Sequence, residues 1–287
     1  MPRPQAPRID IQRWQAGGWA AEADAVAAEE PLQILVNGEE WAVVMRTPGD
    51  DVELALGLLH AERIVASLAE IASVHISAEA GEVESALVVA DLLESNAVDV
   101  RRAGDALDRK LPRRTFASSS ACGICGATAV DELALDLAPL PVDARFEASL
   151  LPRLAHLLRG TQGVFDQTGG LHAAGLFTAA GELVVAREDV GRHNAVDKVA
   201  GWALLRSGLP LSGHVLAVSG RVGFEVAQKA VAAGIPAVVA VGAPSSLAVQ
   251  VARRFDLTLV GFLRDDRFNV YSGEGRLLPV DYAVSRG

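Results

Sequence analysis

Apolar and polar positions alternate with two different rhythms along the chain, and the first rhythm predicts a small α+β domain over residues 30–110. "LQILVNGEEWAVVMRT" places two β-rich runs around Asn37-Gly38, a dipeptide suited to the positive φ angles of a type I′ hairpin turn. "PGDDVELALGLLHAERIV" predicts a helix, since apolar residues recur at helical spacing and either of its first two aspartates can cap it. "IASVHISAE" and "ESALVVADL" predict two further strands.

From about residue 145 the pattern changes to alternating helices and strands, which predicts an α/β domain over residues 146–287. Strands separated by helices of roughly 10–18 residues favour a parallel or mixed sheet covered on both faces. The predicted helices span 147–159, 191–208, 222–233 and 245–254, and the predicted strands span 214–220, 237–241 and 257–263, with two strand-like runs inside 163–189.

The loops that leave such strands are where chemistry is expected. Ligands of α/β sheets gather beyond the carboxyl ends of the strands, where backbone N–H groups at helix starts converge. Three segments occupy these positions: "SGRVGFE" (219–225), "VGAPSS" (241–246) and "LRDDRFNV" (263–270).

Two segments lie outside these patterns. Residues 1–29 are rich in Ala, Pro, Arg and Glu without sustained periodicity, which predicts a flexible N-terminal arm. Residues 111–145 are expected to connect the two domains and to carry a mobile loop with the sequence "CGICG".

The composition limits the kinds of partner that this protein is expected to bind. A formal charge of −10 and a pI near 5.1 argue against non-specific binding to nucleic acid or to an anionic membrane. The uncharged stretch 230–252 is long enough for a membrane span, but Gly-Ile-Pro and Gly-Ala-Pro divide it into short pieces typical of helix, buried strand and helix. With two cysteines and no apolar leader run, a cytoplasmic protein is expected.

The two cysteines, Cys122 and Cys125, admit several interpretations. A zinc site of four cysteines, or of three cysteines and one histidine, is excluded within one chain because no other cysteine exists. A zinc deaminase remains an alternative, with His60 as a ligand and Glu62 as the proton carrier, although no proline precedes Cys122. A thioredoxin-like pair is disfavoured, since polar and small residues precede the motif rather than a buried strand.

A sulfur carrier is the interpretation that the loop chemistry favours. Such a carrier needs an accessible, acidic thiol on a segment free enough to visit two partners. Serines and glycines around the motif supply exposure and backbone freedom, and Arg113 and Arg114 could favour the thiolate. Cysteines that are incidental, in a protein that only binds a nucleotide cofactor, remain a further alternative.

A second dense region, "AREDVGRHNAVDKVAG" (186–201), suggests an anion site. Arg192, His193 and Lys198 bring cationic or donor groups to a helix start, whereas ordinary capping by Asp189 or Asn194 is the competing interpretation. His172 in "TGGLHAAG" and Arg221 in "SGRVGFE" lie in further glycine-rich turns, and together these turns favour a phosphate-bearing ligand. Neither a Walker A loop nor a G-x-G-x-x-G fingerprint is present in the sequence.

Five motifs in order, "CGICG", "TGGLHAAG", "REDVGRHNAVDKVAG", "SGR" and "GFLRDDRFNVY", strongly resemble the FdhD/NarQ family of sulfur carriers required for formate dehydrogenase activity. The resemblance extends over about residues 12–285 and includes "EEPLQILVNGEEW" near the start. It implies a sulfurtransferase with a cytidine deaminase-like three-layer α/β/α domain and a smaller N-terminal α+β domain. In that family the deaminase metal chemistry is absent.

The resemblance also implies partners and site residues. A cysteine desulfurase would donate sulfur to Cys122, assisted by Cys125, for transfer to the molybdenum (or tungsten) bis-guanine-dinucleotide cofactor before it enters the apo formate dehydrogenase. The family's cofactor-binding stretch falls on residues 262–267: Phe262, Leu263, Arg264, Asp265, Asp266 and Arg267. We expect the second domain, as a homodimer, to hold this cofactor without an intrinsic metal.

Two departures from the family pattern matter. Where many relatives read Thr-Glu-Gly after the first helix, this chain has Ala61-Glu62-Arg63. Asp265 and Asp266 add negative charge where glycine-like residues would face phosphates, so Arg264 and Arg267 are expected to supply the attraction.

Overall fold

The protein is a mixed α/β structure with several sheets. The computed structural model describes residues 4–77, 85–92, 96–104, 137–141, 143–206 and 208–279. The described residues divide into two compact units, unit 1 drawn from residues 1–123, 162–173 and 187–208 and unit 2 from residues 124–161, 174–186 and 209–287.

Unit 1 contains a five-stranded sheet with the order β4-β3-β7-β5-β6. Its strands are β3 (Glu30–Val36), β4 (Glu39–Arg46), β5 (Ile71–Ser77), β6 (Val88–Leu92) and β7 (Ala97–Arg102). The predicted hairpin is confirmed: Asn37 and Gly38 join β3 to β4 with φ angles of 55° and 82°, the positive pair that a type I′ turn requires. The sequence analysis missed β7, which lies at the middle of the sheet, because its apolar run is short and ends in two arginines.

Helix α1 (Asp51–Ala61) forms where the sequence predicts it, but its start is not capped as expected. Asp50 is the N-cap residue in a left-handed conformation (φ 56°) and makes no side-chain capping bond. Asp51 instead accepts two hydrogen bonds of 2.8 Å from the guanidinium of Arg46, which is buried. The aspartate therefore ties the helix to the end of β4 rather than capping free N–H groups.

Unit 1 also holds α3 (Gly163–Thr168) and α4 (Arg192–Leu205), and α4 packs directly against α1. Two glycines make this contact close. A Cβ on Gly57 would lie 1.8 Å from the carbonyl oxygen of Asp197, and one on Gly201 would lie 1.8 Å from that of Glu53. The two helix backbones therefore touch with no room for a side chain at either position.

Residues 8–25, for which we expected a flexible arm, form an antiparallel hairpin. Its strands are β1 (Arg8–Gln15) and β2 (Gly18–Ala25), and nearly all of their residues are exposed. Trp14 and Trp19 face each other across the ladder with ring centroids 5.3 Å apart. Such cross-strand aromatic pairs stabilise a hairpin, and the segment's Ala-rich composition hid this pairing.

Unit 2 is built on a six-stranded mixed sheet with the order β10-β9-β11-β12-β13-β14. The strands are β9 (His172–Thr178), β10 (Leu183–Asp189), β11 (His214–Val218), β12 (Ala237–Ala240), β13 (Thr258–Gly261) and β14 (Asn269–Ser272). β11, β12 and β13 run parallel, while β9 and β14 are antiparallel to their neighbours β11 and β13. The predicted mixed sheet is confirmed. A shorter parallel pair joins β8 (Phe146–Glu147) to β15 (Leu277–Leu278).

Three helices of unit 2 follow the predicted alternation: α2 (Leu151–Arg159), α5 (Phe224–Ala232) and α6 (Ser246–Arg254). Ser245 caps α6 by accepting a hydrogen bond from the N–H of Ala248. The uncharged stretch 230–252 is thus divided into the end of α5, strand β12 and the start of α6, as predicted. Across the described part of the chain, every helix is too short or too polar to cross a membrane.

The two units do not follow each other along the chain as the predicted domains do. Residues 162–173 and 187–208 belong to unit 1, whereas the sequence predicts one domain from 146 to the end. The reason lies in α4, whose small residues pack against α1 in the first half of the chain. The alternation of helices and strands along the sequence indicates only local structure. It could not show that α4 packs against the distant helix α1.

Candidate functional site

The loops at the carboxyl ends of β11, β12 and β13 contact one another, as the sequence analysis expected. The N–H of Gly242 donates to the carbonyl of Gly220 (3.1 Å), and the N–H of Phe262 donates to the carbonyl of Gly242 (3.1 Å). Gly242 is required here, because a Cβ would lie 2.7 Å from the carbonyl oxygen of Gly220. These bonds join three separate loops into one edge of the sheet.

Residues 264–267 form a tight turn at this edge, called the arginine turn below. The N–H of Arg264 donates to the carbonyl of Arg267 (2.9 Å), so the two arginines form the base of the turn. The guanidinium of Arg264 also donates to the carbonyls of Val241 (2.9 Å) and Leu263 (2.7 Å). Asp265 and Asp266 are the two residues between the arginines, and both are exposed.

The base of the turn lines a cavity of about 240 Å³ together with Phe262 and Asn269. Phe262 is 43% exposed and holds a left-handed backbone (φ 53°), an unusual conformation for a bulky residue. Arginines bind phosphates, and exposed aromatic rings stack on nucleobases. The volume lies below the ~300–1,000 Å³ usual for a whole small-molecule pocket, so the cavity suits one part of a larger ligand.

The remaining residues of the 262–267 stretch have different surroundings. Leu263 is 2% exposed and packs beneath the turn. Asp266 is exposed at the tip. Asp265 contacts His156 of α2, with Oδ1 and Nε2 2.8 Å apart.

Arg221 belongs to the same edge of unit 2. It is exposed in the loop after β11, and the adjacent Val222 donates its N–H to the carbonyl of Ala243 (3.2 Å). The structure therefore groups Arg221 with the loops that carry the arginine turn.

The other three predicted ligand residues, His172, Arg192 and His193, lie in unit 1. His172 begins β9, and Arg192 and His193 begin α4. All three are partly buried, and the Nε atom of Arg192 is buried without a hydrogen-bond partner among the described residues.

Lys198 is not available to a ligand, contrary to the sequence interpretation. Its Nζ lies 2.8 Å from Oδ2 of Asp189, and both side chains are fully buried. The predicted caps are also wrong: Gly191 is the N-cap residue of α4, and Asp189 accepts from the N–H of Gly191 and the Nδ2 of Asn194, each at 2.8 Å. Much of the "REDVGRHNAVDKVAG" motif therefore holds unit 1 together.

Arg187 and Glu188, which precede Asp189 in the same motif, have structural roles as well. Arg187 makes two hydrogen bonds, of 2.6 and 2.8 Å, to the carboxylate of Glu53. Burial raises the pKa of Glu53, although the Arg187 guanidinium opposes the rise. Glu188 accepts from the N–H groups of Val164 (3.0 Å) and Phe165 (2.8 Å) at the start of α3.

Cys122 and Cys125, with Arg113 and Arg114, lie outside the described residues, so their predicted roles stay predictions. His60 is 5% exposed near the end of α1, and its Nδ1 lies 3.1 Å from the carbonyl of Val65. Glu62 is the C-cap residue of the same helix. Within the described ranges, no group of three His, Cys, Asp or Glu side chains is arranged to bind a metal ion.

Sequence reasoning missed two residues beside the arginine turn. Asn269 lines the cavity from the start of β14, and its place at the end of a polar loop was the available signal. His156 reaches the turn from α2, more than 100 residues earlier in the chain, and nothing in the local pattern pointed to it.

The chain is similar to known proteins along nearly its whole length. The model of the FdhD/NarQ family matches residues 27–278. A sulfur carrier protein FdhD from Streptomyces avermitilis is 48% identical over 278 residues, covering 94% of this chain and 95% of the relative. A protein with the same name from Sulfolobus acidocaldarius is 40% identical over 273 residues, covering 95% and 99%.

A crystal structure described as a formate dehydrogenase accessory protein, from Desulfotalea psychrophila, is similar in fold. It superposes with a TM-score of 0.76 at 25% identity and covers 96% of this chain and 100% of that one. Since both the family model and relatives of nearly equal length match almost end to end, the chain belongs to the FdhD/NarQ family.

Proposed function

We propose that this chain, a sulfur carrier protein like its curated relatives, accepts persulfide sulfur from a cysteine desulfurase and delivers it to the molybdenum bis-guanine-dinucleotide cofactor. The delivery serves the maturation of formate dehydrogenase, in keeping with the description of the similar solved structure. The cofactor is the substrate of this transfer rather than a resident group.

The observation that carries the proposal is the arginine turn. Arg264 and Arg267 line a cavity beside the exposed ring of Phe262, at the edge where α/β sheets bind ligands. A guanine dinucleotide offers phosphates for the guanidinium groups and a purine for the ring. Part of such a ligand fits the observed volume, while Arg221 extends the cationic edge toward the next loop.

The transfer itself is nucleophilic. The thiolate of Cys122 attacks the terminal sulfur of the donor's persulfide, the donor's S–S bond breaks, and the donor cysteine leaves as a thiolate. Cys122 then carries the sulfur as a persulfide. On transfer to the bound cofactor the S–S bond of Cys122 would break and Cys122 would leave as a thiolate, while two electrons from the cofactor's metal would reduce the sulfur to a sulfido ligand. Cys125 assists or shares the sulfur.

Several finer features belong to the same proposal. Unit 2 adopts the cytidine deaminase-like α/β/α arrangement, the chain acts as a homodimer, and His172, Arg192 and His193 contribute further contacts to the cofactor. The apo dehydrogenase is the final partner. The acceptor cysteine must be a free thiol before each transfer, and a reducing compartment keeps it so, which favours the cytoplasm.

Mass spectrometry of the whole protein tests the sulfur step. After incubation with a cysteine desulfurase and cysteine, wild-type protein should gain the mass of one sulfur atom, and Cys122→Ala should not. Cys125→Ala serves as the matched variant that removes the neighbouring thiol. An equal adduct on Cys122→Ala would overturn the assignment of the acceptor.

Complementation separates this proposal from a carrier of the cofactor alone. In a strain that lacks its own family member, wild type should restore formate dehydrogenase activity and Cys122→Ala/Cys125→Ala should not. Full activity with the double variant would show that the cysteines are idle. Stoichiometric zinc in the purified protein, lost in His60→Ala, would favour a deaminase instead.

A further inference from the structure

His156 holds the tip of the arginine turn against helix α2. Its Nε2 lies 2.8 Å from Oδ1 of Asp265, a distance typical of a charge-assisted hydrogen bond. A carboxylate only accepts, so Nε2 carries the proton in this contact. The helix segment that carries His156 is anchored, because Leu154 and Leu158 on either side of it are each 1% exposed.

The turn needs such a contact because it carries opposite charges in four consecutive residues. Arg264 and Arg267 form the base and line the cavity, while Asp265 and Asp266 lie between them in sequence. A free Asp265 side chain could rotate toward either guanidinium and compete with a phosphate group. Contact with His156 directs one carboxylate toward α2 instead.

We propose that His156 is a positioning residue for the anion site, acting by holding the Asp265 carboxylate away from the two arginines. The inference rests on the proposed function, since it concerns the affinity of the same cavity for a nucleotide phosphate. His156 acts through Asp265 and does not itself line the cavity. The side chains of both partners are mostly exposed, 66% for His156 and 83% for Asp265, so the effect on binding is moderate.

Other charged groups share this neighbourhood. On α2 two cationic residues lie about one helical turn to either side of His156, and on the turn three charged residues adjoin Asp265 in sequence. They are Arg153 and Arg159 on the helix, and Arg264, Asp266 and Arg267 on the turn. Removing the charge of Arg153 therefore measures the long-range electrostatic effect of α2 on the site, separately from the direct contact between His156 and Asp265.

Isothermal titration of the full chain with GDP tests the inference. At pH 6.0 and low salt, His156→Ala should weaken GDP binding by about fivefold. This factor corresponds to the interaction energy of two unit charges about 4 Å apart in water. Arg153→Ala, the matched control on the same helix, should change it by less than about twofold. His156→Gln, which keeps a donor without a full charge, should retain part of the affinity.

The second half of the test is a double-mutant cycle. Asp265→Asn should bind GDP at least as well as wild type, and adding His156→Ala to it should cause no further loss. The loss in His156→Ala alone should also shrink in 0.5 M salt. A purely structural role for His156 would instead lower the thermal midpoint and would persist in the Asp265→Asn background.

The outcomes are distinguishable. If wild type binds GDP and His156→Ala binds it equally well, the positioning role is wrong while the proposed function stands. If wild type does not bind GDP, the cofactor site fails and the positioning role fails with it. Equal losses in both backgrounds would assign His156 to folding alone.

Discussion

The ammonium group of Lys198 lies 2.8 Å from the carboxylate of Asp189, and neither side chain is exposed to solvent. The pair is embedded in further bonds: Lys198 Nζ donates to the carbonyl of Thr47 (3.1 Å), and Asp189 accepts from the N–H of Thr47 (3.2 Å). Helix α4, the end of β10 and the end of β4 are therefore joined by one buried ionic contact. A charge removed from water in this way is tolerated only while its partner is present.

Removing the negative partner should accordingly destabilise unit 1. Asp189→Asn leaves the Lys198 charge buried and should lower the free energy of unfolding by about 3–5 kcal/mol. Urea unfolding followed by circular dichroism measures this loss. Adding Lys198→Met should recover part of it, because the uncompensated charge is then gone.

An exposed ion pair provides the control for this result. Arg13 Nη2 lies 3.3 Å from Oδ2 of Asp24 on the N-terminal hairpin, and both side chains are nearly half exposed. Arg13→Gln should change stability by less than about 1 kcal/mol. If Asp189→Asn costs no more than Arg13→Gln, the buried pair is not what holds α4 in place.

This pair also shows where sequence reasoning succeeded and where it stopped. The pattern of residues 214–261 predicted strand, helix and loop in the right order, and it placed the loops after β11, β12 and β13 at one edge of the sheet. The dense motif around Asp189 was visible too, but spacing alone could not show that Lys198 points into the core. Burial depends on the distant β4 strand, which a local motif does not report.

The arginine turn also combines features that the sequence predicted with features that it could not predict. Its residues were identified through the family resemblance, and the structure shows that Arg264 and Arg267 both line the cavity; that they attract a phosphate stays a prediction. The sequence could not show that a hydrogen bond from the N–H of Arg264 to the carbonyl of Arg267 closes these four residues into a turn. His156 was missed because only tertiary structure brings α2 to the turn.

The close crossing of α1 and α4 predicts a severe effect at one glycine. Gly57→Ala would place a Cβ 1.8 Å from the carbonyl oxygen of Asp197, a backbone atom that cannot move without shifting the helix. We expect a loss of about 3 kcal/mol or more, at the upper end of the range for overpacking. Gly163→Ala, in α3 with open space around it, should be neutral or slightly stabilising.

Differential scanning calorimetry of the two variants tests this directly. A drop in the unfolding temperature confined to Gly57→Ala would confirm that the backbones touch. Similar unfolding temperatures for Gly57→Ala and wild type would contradict the helix contact seen in the structure.

Because the His214 ring is partly buried, we expect the stability of the protein to depend on pH. Burial lowers the pKa of His214, partly offset by a backbone hydrogen bond with Leu211, and its Nδ1 has no hydrogen-bond partner among the described residues. The folded state therefore favours the neutral ring. Stability from this group is present above about pH 6.5, the ordinary value in an unfolded chain, and is lost as the pH falls through the lowered folded-state pKa.

Urea midpoints at pH 7 and pH 5 measure this linkage. Wild type should lose more stability between the two values than His214→Phe or His214→Gln, which cannot titrate. Agreement between the two replacements, which differ in size and polarity, would assign the difference to the proton. An unchanged pH dependence in both variants would show that other groups control the acid transition.

The cavity itself predicts a salt-dependent loss of nucleotide affinity. Arg267→Ala removes one of two guanidinium groups from the cavity and should weaken GDP binding by about tenfold at low salt, in line with a charge-assisted contact to phosphate. The loss should decrease as salt is raised, because screening weakens the remaining attraction in wild type as well. Arg253→Ala, near the end of α6 and outside the set of residues that line this cavity, is the matched control and should bind GDP as wild type does. Guanosine, which lacks phosphates, should bind wild type and Arg267→Ala alike; equal losses for guanosine and GDP would show that Arg267 supports the cavity's shape instead of contacting phosphate.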